Sequence, residues 1–281
     1  MKHLTILCVV IFLLAACTAN HSKKETKMIL SNKEKAVELL TSIETGDPKP
    51  VSYINPKKYI QHNLMVGDGL EGFGEAMKQL PEGSAKAKVV RAFQDGDYVF
   101  THTEYNFFGP KVGFDIFRFE NEKIVEHWDN LQEIASKSAS GRTQIDGPTQ
   151  ATDLDKTDAN KALVEGFVGD VLKGANPGKI TEYISTEKYH QHNPAVADGL
   201  GALGTALEAM AKAGTPMIYT KNYMILGEGD FVLTVSEGQF LGKPVAFYDL
   251  FRIERGKIVE HWDTIEEIPS KEKWKNNNGK F

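Results

Sequence analysis

Hydrophobic and polar positions change their spacing twice along the chain in the same order, from a helical repeat to strand-like alternation. In the first half, apolar residues three or four positions apart predict two amphipathic helices, and the capping-box pattern of Ser31 and Glu34 begins the first. β-Branched and aromatic runs between turn residues then predict antiparallel strands at 88–94, 98–107, 112–120 and 123–133. The second half repeats this series from a helix near Asp158. Helices followed by a meander predict an α+β fold with helices on one sheet face.

Two motifs show that the halves are copies. Residues 59–70 and 189–200 agree at 8 of 12 positions, with an offset of 130. Residues 122–129 and 256–263 agree at 7 of 8, with an offset of 134. Units of this length are domains, whereas solenoid repeats have about 20–50 residues. Asp68 and Asp198, just before the second helix of each copy, are expected to cap those helices.

Composition and turn residues place the domain boundaries. The chain has 281 residues, about twice the usual ~100–150 of one domain. Residues 136–156 have linker composition and 271–280 form a polar stretch that is expected to fray. The predicted organisation is a signal peptide at 1–16, a lipidated tether at 17–30, a first domain at 31–135, a linker at 136–156, a second domain at 157–269 and a polar tail at 270–281.

The N-terminal segment predicts export. A basic start, an apolar run at 4–14 and small residues before Cys17 are typical of a secretory signal peptide, and the run is too short to span a bilayer. Leu14-Ala15-Ala16-Cys17 resembles the lipobox of bacterial lipoproteins, which implies a lipid anchor at Cys17 and an envelope location on the periplasmic or cell-surface side. The alternative is a plain signal peptide in which Cys17 is incidental. Cys8 lies inside the removed segment, so no internal disulfide is expected.

Net charge excludes one class of partner. The formal net charge is −5, from 33 basic and 38 acidic residues, and no basic stripe is present. Binding to nucleic acid depends on neutralising phosphates, so no nucleic-acid partner is expected.

An aspartate stands on an apolar strand face in each copy. Alternation puts Asp115 on the same face as Phe117 and Phe119, and Asp249 repeats this arrangement. A carboxyl group desolvated among aromatic rings is expected to have a raised pKa, which suits it to donate a proton or a hydrogen bond. The alternative is a structural aspartate satisfied by backbone, Arg or Tyr.

The next strand carries a histidine and a second aspartate on one face. His127 and Asp129 point the same way, as do His261 and Asp263, and each pair is a candidate acid/base pair. The alternative places these pairs at the rim. Trp128 and Trp262, on the opposite face, are interpreted as core residues.

A polar tripeptide precedes the second helix of each copy, at the edge of the expected concave face. Its side chains can hold a carbonyl oxygen or a water, and local turn chemistry is the alternative. No close spacing of metal ligands supports a metal site, so none is predicted. The candidate binding residues are Gln61, His62, Asn63, Gln191, His192 and Asn193.

Together these motifs resemble the SnoaL-like proteins of the nuclear-transport-factor-2-like (NTF2-like) superfamily. The resemblance rests on Tyr-x-Gln-His-Asn with Asp-Gly-Leu, then Asp-x-Phe-Arg, then Lys-Ile-Val-Glu-His-Trp-Asp, and it covers both copies. It implies two tandem cone-shaped domains, each with a pocket between helices and a curved sheet. It also implies that Asp115 resembles the oxyanion-hole aspartic acid of ketosteroid isomerase. Asn63 and Asn193 stand where that isomerase has its carboxylate base, which argues against the isomerase mechanism.

The resemblance leads to a functional expectation. Each pocket would bind a small apolar carbonyl compound and transfer a proton without a cofactor, as in aldol-type cyclisation or isomerisation. In that scheme Asp115 and Asp249 stabilise the enolate oxygen, the two His–Asp pairs move the proton, and Asn63 and Asn193 orient the carbonyl. The alternative is a non-catalytic module for binding small molecules or envelope partners. The two domains are also expected to pair as an internal pseudo-dimer.

Overall fold

The computed structural model describes residues 30–81 and 83–281. The predicted signal peptide, Cys17 and the tether up to residue 29 lie outside them. Within the described ranges, no helix is both long and apolar enough to cross a membrane. The predicted fold class is confirmed: two tandem α+β domains each pack helices on a five-stranded sheet.

The first domain follows the predicted order of helices and strands. Its strands include a short β1 that the sequence pattern did not predict. The elements are α1 Asn32–Thr45, β1 Ile60–Gln61, α2 Gly69–Gln79, β2 Lys86–Asp95, β3 Tyr98–Asn106, β4 Pro110–Glu120 and β5 Lys123–Glu133.

The second domain repeats the series. Its first helix continues as one π-helical segment, Val168–Leu172, and a short extra helix follows. The elements are α3 Thr157–Phe167, α4 Ile180–Tyr183, β6 His190–Gln191, α5 Leu200–Lys212, β7 Ile218–Glu228, β8 Phe231–Phe240, β9 Lys243–Glu254 and β10 Lys257–Glu267.

Both sheets have the same strand order. The order is β1-β5-β4-β3-β2 in the first domain and β6-β10-β9-β8-β7 in the second. The short first strand pairs in parallel with the last strand, and the long strands are antiparallel. Register shifts between Val89 and Arg91 and between Arg118 and Phe119 are bulges. Bulges bend and twist a strand, which helps the sheet to curve over its helices.

Helix entry is partly as predicted. The Ser31 hydroxyl accepts a hydrogen bond from the Glu34 N–H at 3.2 Å, and the Glu34 carboxylate accepts from the Ser31 N–H at 2.7 Å, which is a complete capping box. Of the two predicted caps, Asp68 is the N-cap residue of α2, whereas Gly199 rather than Asp198 is the N-cap residue of α5. The Asp68 side chain makes no capping bond. The two carboxylates instead accept the backbone N–H of Gln61 at 3.0 Å and of Gln191 at 2.9 Å, the last residues of the short strands beside them.

The two sheets bury a shared core between the domains. Phe93 of the first domain stacks on Phe231 of the second, with ring centroids 4.5 Å apart. Trp128 and Trp262 belong to this cluster and are 4% and 0% exposed, which confirms their interpretation as packing residues. Asn130 crosses the same boundary and donates to the Thr264 carbonyl at 2.9 Å.

The segment that follows each domain crosses to the other domain. We call residues 138–146 the linker segment and residues 274–281 the tail segment. The Ala139 N–H donates to the Pro194 carbonyl at 2.9 Å, and the Lys275 N–H donates to the Leu64 carbonyl at 2.8 Å. The expectation of a fraying tail is wrong, because its asparagines and Lys280 replace solvent with hydrogen bonds to the first domain.

Candidate functional site

Each domain has one cavity between its helices and the concave face of its sheet. The first has a volume of about 160 Å³ and the second about 150 Å³. Most of the walls are apolar, from α1, α2 and Phe117 in the first domain and from α3, α5 and Phe251 in the second. A dry cavity of roughly 150 Å³ is enough for a single aromatic ring. The pockets therefore suit small, mostly apolar ligands.

Strand register assembles the polar end of the first pocket. On β4 and β5, Asp115 lies directly opposite Asp129, and Phe117 lies opposite His127. Because alternate residues share a face, both aspartates and the histidine project into the same cavity. Suitable ligand atoms of these three residues lie within 4.8 Å of one another.

The hydrogen bonds of His127 fix where its protons lie. The Asn63 N–H donates to Gln61 Oε1 at 2.8 Å, so this oxygen is an acceptor. His127 Nδ1 lies 3.1 Å from the same oxygen and must therefore carry a proton. Its Nε2 lies 3.2 Å from Asp115 Oδ1, and a hydrogen bond there needs one more proton. That proton belongs either to an imidazolium or to a carboxylic acid, so His127 and Asp115 share it.

The histidine pairs with a different aspartate from the one expected. The sequence suggested His127 with Asp129, but the ring turns its Nε2 to Asp115 across the strand pair. Asp129 Oδ2 instead accepts from Asn63 Nδ2 at 2.6 Å. Asp115 is the diagonal cross-strand neighbour of His127 and lies within reach of its ring, while the Asn63 amide holds Asp129.

Asp115 is satisfied by the protein itself. The Tyr105 hydroxyl donates to Asp115 Oδ2 at 2.6 Å, while Oδ1 faces His127. This is the tyrosine-satisfied aspartate of the alternative interpretation. Both nitrogens of His127 are bonded as well, so a ligand oxygen reaches Asp115 or His127 only by replacing one of these existing partners.

The tripeptide before α2 divides between two faces. Gln61 and Asn63 line the pocket. The Asn63 amide, however, is used by the protein, because its Oδ1 also accepts from the Met65 N–H at 2.8 Å. Asn63 therefore positions Asp129 instead of orienting the carbonyl group of a ligand, the role that the sequence had suggested. Asn193 does the same for Asp263, at 2.6 Å.

His62 and His192 lie outside the pockets, contrary to the expectation that they bind ligand. His62 stacks on Trp128 with centroids 4.6 Å apart, and its two nitrogens face Glu126 at 3.0 Å and the Gly279 carbonyl at 2.9 Å. His192 likewise stacks on Trp262. Their side chains point to the face on which the other domain's segment lies.

The second pocket repeats the shared proton. The Asn193 N–H donates to Gln191 Oε1 at 2.9 Å, and His261 Nδ1 lies 3.0 Å from that oxygen. His261 Nε2 is 3.0 Å from Asp249 Oδ1. Burial lowers the pKa of His261, but the hydrogen bond to Asp249 and the charges of both aspartates outweigh it, so the pKa is raised.

Sequence analysis missed the tyrosines that hold the two aspartates. Tyr105 on β3 pairs across the sheet with Ala87, whereas Tyr219 on β7 pairs with Gly238. In the first domain the tyrosine lies on the second long strand and the small residue on the first. In the second domain the two have exchanged strands. Tyr219 still places its hydroxyl 3.2 Å from Asp249 Oδ1. Both domains thus have a tyrosine hydroxyl beside the aspartate, although the tyrosine comes from a different strand in each.

A metal ion would have to displace existing bonds. Asp115, His127 and Asp129, and likewise Asp249, His261 and Asp263, are close enough to supply three ligands. Both ring nitrogens of each histidine are already hydrogen-bonded to a glutamine and an aspartate. We therefore interpret each cluster as a hydrogen-bonded proton-sharing set.

Comparison with known proteins gives similarity only at the level of single domains. No protein-family model and no curated protein sequence matches the chain. TsrD from Streptomyces laurentii is 20% identical, with 35% of this chain and 85% of TsrD covered and a TM-score of 0.30. IdmH from Streptomyces antibioticus, described as a candidate polyketide cyclase, is 17% identical, with 37% and 93% covered and a TM-score of 0.32. An NTF2-like protein from Cytophaga hutchinsonii is 15% identical, with 38% and 94% covered and a TM-score of 0.33.

Proposed function

We propose that the pockets bind a small, mostly apolar carbonyl compound and transfer a proton at the carbon beside the carbonyl group. The observation that carries this proposal is the close contact between a buried histidine and a buried aspartate at the polar end of each apolar cavity. Proton transfer needs a group that can both give and take a proton near neutral pH, and a histidine coupled to a carboxylate does so. Aldol-type cyclisation and isomerisation both include such a step.

In this scheme the histidines and aspartates have roles that differ from those expected from the sequence. When ligand binds, Nε2–H of His127 or His261 exchanges its bond to the aspartate for one to the carbonyl oxygen, and the nearby aspartate charge stabilises the protonated ring. Asp129 or Asp263, positioned by an asparagine, takes the proton from carbon. The C–H electron pair moves into the enolate, whose oxygen accepts the histidine's hydrogen bond. The mechanism requires no external co-reactant.

A second function, ligand binding without catalysis, is favoured by one observation. Several polar groups of the pocket are already bonded within the protein, as shown by the bonds that Tyr105 and Asn63 donate to one oxygen each of Asp115 and Asp129. A site built only to hold an apolar ligand needs nothing more. The two functions differ in whether the shared proton reaches the ligand.

We further propose that the protein is a lipoprotein anchored at Cys17 and exported to the bacterial envelope, with the two domains acting as an internal pseudo-dimer. The lipobox-like sequence supports the anchor. The core shared by Phe93, Phe231 and their neighbours supports the pairing. Metabolic labelling with a fatty acid tests the anchor, since Cys17→Ser is expected to abolish incorporation. A labelled Cys17→Ser protein would contradict it.

The test of the pocket uses phenolates, which mimic an enolate. Binding of 4-nitrophenolate is measured for the wild type and for Asp115→Asn with Asp249→Asn. We expect binding to weaken at least tenfold in the double variant, because the asparagines no longer share the histidine's proton. Unchanged affinity in a folded double variant would contradict the proton-transfer proposal and favour plain ligand binding.

A further inference from the structure

The tail segment brings a buried cation to the first pocket. The side chain of Lys280 is 5% exposed, and its ammonium lies 3.7 Å from Asp129 Oδ1 and 2.5 Å from Glu266 Oε2. Glu266 belongs to β10 of the second domain and also accepts the Leu131 N–H of the first at 3.2 Å. One carboxylate of the first pocket is therefore ion-paired by residues of the other domain.

The linker segment offers the second pocket no such cation. The tail and linker segments correspond residue by residue, because Lys275 and Ala139 make equivalent backbone bonds, as do the Gly279 and Thr143 carbonyls to His62 and His192. This alignment places Gln144 where the other side has Lys280. The repeat offset of 134 likewise makes Gln132 equivalent to Glu266, and Gln132 accepts the Ile265 N–H at 2.8 Å. Two neutral glutamines thus occupy the positions of the lysine and the glutamate.

Among the described residues, Asp263 has no ion pair equivalent to that of Asp129 with Lys280. It is 5% exposed and lines the second cavity, and its buried Oδ1, like that of Asp129, accepts no hydrogen bond. Burial raises the pKa of Asp263, and the nearby charge of Asp249 adds to this effect, against the lowering influence of His261, Asn193 and His192. The hydroxyls of Tyr189 and Tyr219 are the other titratable groups close to this site. A carboxylate with fewer stabilising partners is the stronger base.

We propose that carbon-bound protons are removed mainly in the second pocket, with Asp263 as the base, and that Lys280 weakens Asp129 for the same task in the first pocket. This inference rests on the proposed function. In the second pocket, the C–H bond breaks, the proton goes to Asp263 Oδ1 and the electron pair forms the enolate. The enolate oxygen takes a hydrogen bond from His261 Nε2, which gives up its bond to Asp249. The first pocket then serves mainly to hold ligand.

The first test measures deuterium exchange into the α-carbons of cyclohexanone by NMR. We expect Asp263→Asn to lose at least tenfold of the protein-dependent rate and Asp129→Asn to lose less than twofold. A loss confined to Asp129→Asn, or equal losses in both variants, would overturn the inference but leave the proposed function intact. Absence of protein-dependent exchange in the wild type would instead overturn the proposed function on which the inference rests.

The second test removes the lysine from the first pocket or adds one beside the second. In an Asp263→Asn background, Lys280→Gln is expected to raise the remaining exchange rate at least threefold, while Lys273→Gln, an exposed control just before the tail segment, leaves it unchanged. In the otherwise wild-type chain, Gln144→Lys is expected to lower the rate at least threefold by placing a cation near Asp263. This second variant keeps the inference testable even where loss of Lys280 loosens the tail. An unchanged rate in folded Gln144→Lys protein would overturn the role assigned to the cation.

A readout independent of activity accompanies these variants. Carbon-13 NMR of labelled aspartate carboxyl groups follows the titration of Asp263, with its signal assigned by Asp263→Asn. We expect this signal to titrate above the ordinary range of an aspartate in the wild type, because burial raises the pKa of Asp263. We expect it to titrate at lower pH in Gln144→Lys, where a cation is added. An Asp263 titration that is unchanged in folded Gln144→Lys protein would overturn the inference.

Discussion

At the scale of single residues, each pocket is organised by a tyrosine, an aspartate and a histidine linked in series. Tyr105 donates to one oxygen of Asp115, and His127 meets the other. Burial and the charge of Asp115 raise the pKa of Tyr105 well above its ordinary value, so the phenol remains a donor. The exchange of strand positions between Tyr105 and Tyr219 indicates that a donor to this aspartate is needed in both copies.

The first residue-scale prediction concerns this donor. Tyr105→Phe is expected to reduce the free energy of unfolding by about 2 kcal/mol, because it leaves a buried carboxylate oxygen without its partner. Tyr223→Phe, which removes a hydroxyl bonded to the exposed Glu237, is the control and is expected to change it by less than about 0.5 kcal/mol. Denaturant titration measures both. Equal effects would show that Asp115 does not depend on Tyr105.

The second residue-scale prediction follows from the raised pKa of His261. The folded protein holds this proton more tightly than the unfolded chain, whose value is near 6.5. The resulting stability is fully present below that pH and is lost as pH rises through the folded pKa. The free energy of unfolding should therefore decrease as pH rises through the folded pKa of His261. In His261→Gln, the share of that decrease due to His261 should disappear. A decrease of the same size in wild type and variant would contradict the assignment.

At the scale of elements, the tail segment acts as part of the first domain. Asn278 Nδ2 donates to the Gln61 carbonyl at 3.0 Å and to Asp68 Oδ1 at 2.8 Å, which ties it to the strand and loop that hold Asn63. The loop before α2 is therefore held by Asp68 of its own domain and by Asn278 of the tail segment.

This arrangement predicts a local effect of one tail residue. Asn278→Ala is expected to speed amide hydrogen exchange in residues 61–68 about tenfold or less, in keeping with loss of about 1 kcal/mol. Exchange in residues 191–198 should not change. Asn277→Ala, at the exposed neighbouring position, is the control. Faster exchange in both loops would indicate global rather than local loosening.

The sequence predicts the elements better than it predicts their partners. Helical spacing, the capping box and strand alternation located the elements and put Asp115, His127 and Asp129 on one face, because these depend on local geometry. The pairing of His127 with Asp115 depends on strand register, and the tyrosine exchange depends on which strand supplies a large side chain. The ordered tail was misjudged because its polar composition resembles that of a solvated segment, although its amides satisfy loop groups of the other domain.

At the scale of the whole molecule, the domains are joined by reciprocal contacts. The linker segment lies on the second domain's loop, the tail segment lies on the first domain's loop, and aromatic residues of both sheets share one core. Such an arrangement couples the stability of the two halves, because opening one domain removes contacts from the other.

The prediction at this scale uses the shared core. Phe231→Ala is expected to cost about 4 kcal/mol, as a buried aromatic ring is lost. Because Phe231 stacks on Phe93, both domains should be destabilised together. Hydrogen exchange in β3 and β8 reports each domain separately, and Phe108→Ala, at a 69% exposed turn, is the control. Destabilisation confined to the second domain would contradict the coupling.

The measurement that tests the central claim most directly is α-deuterium exchange into cyclohexanone by the wild type and by the double variant His127→Gln with His261→Gln. The account predicts protein-dependent exchange in the wild type and at least a hundredfold loss in a folded double variant, since both shared protons are gone. Exchange that persists in the double variant, or that never exceeds the rate in buffer, would contradict proton transfer as the function of these pockets.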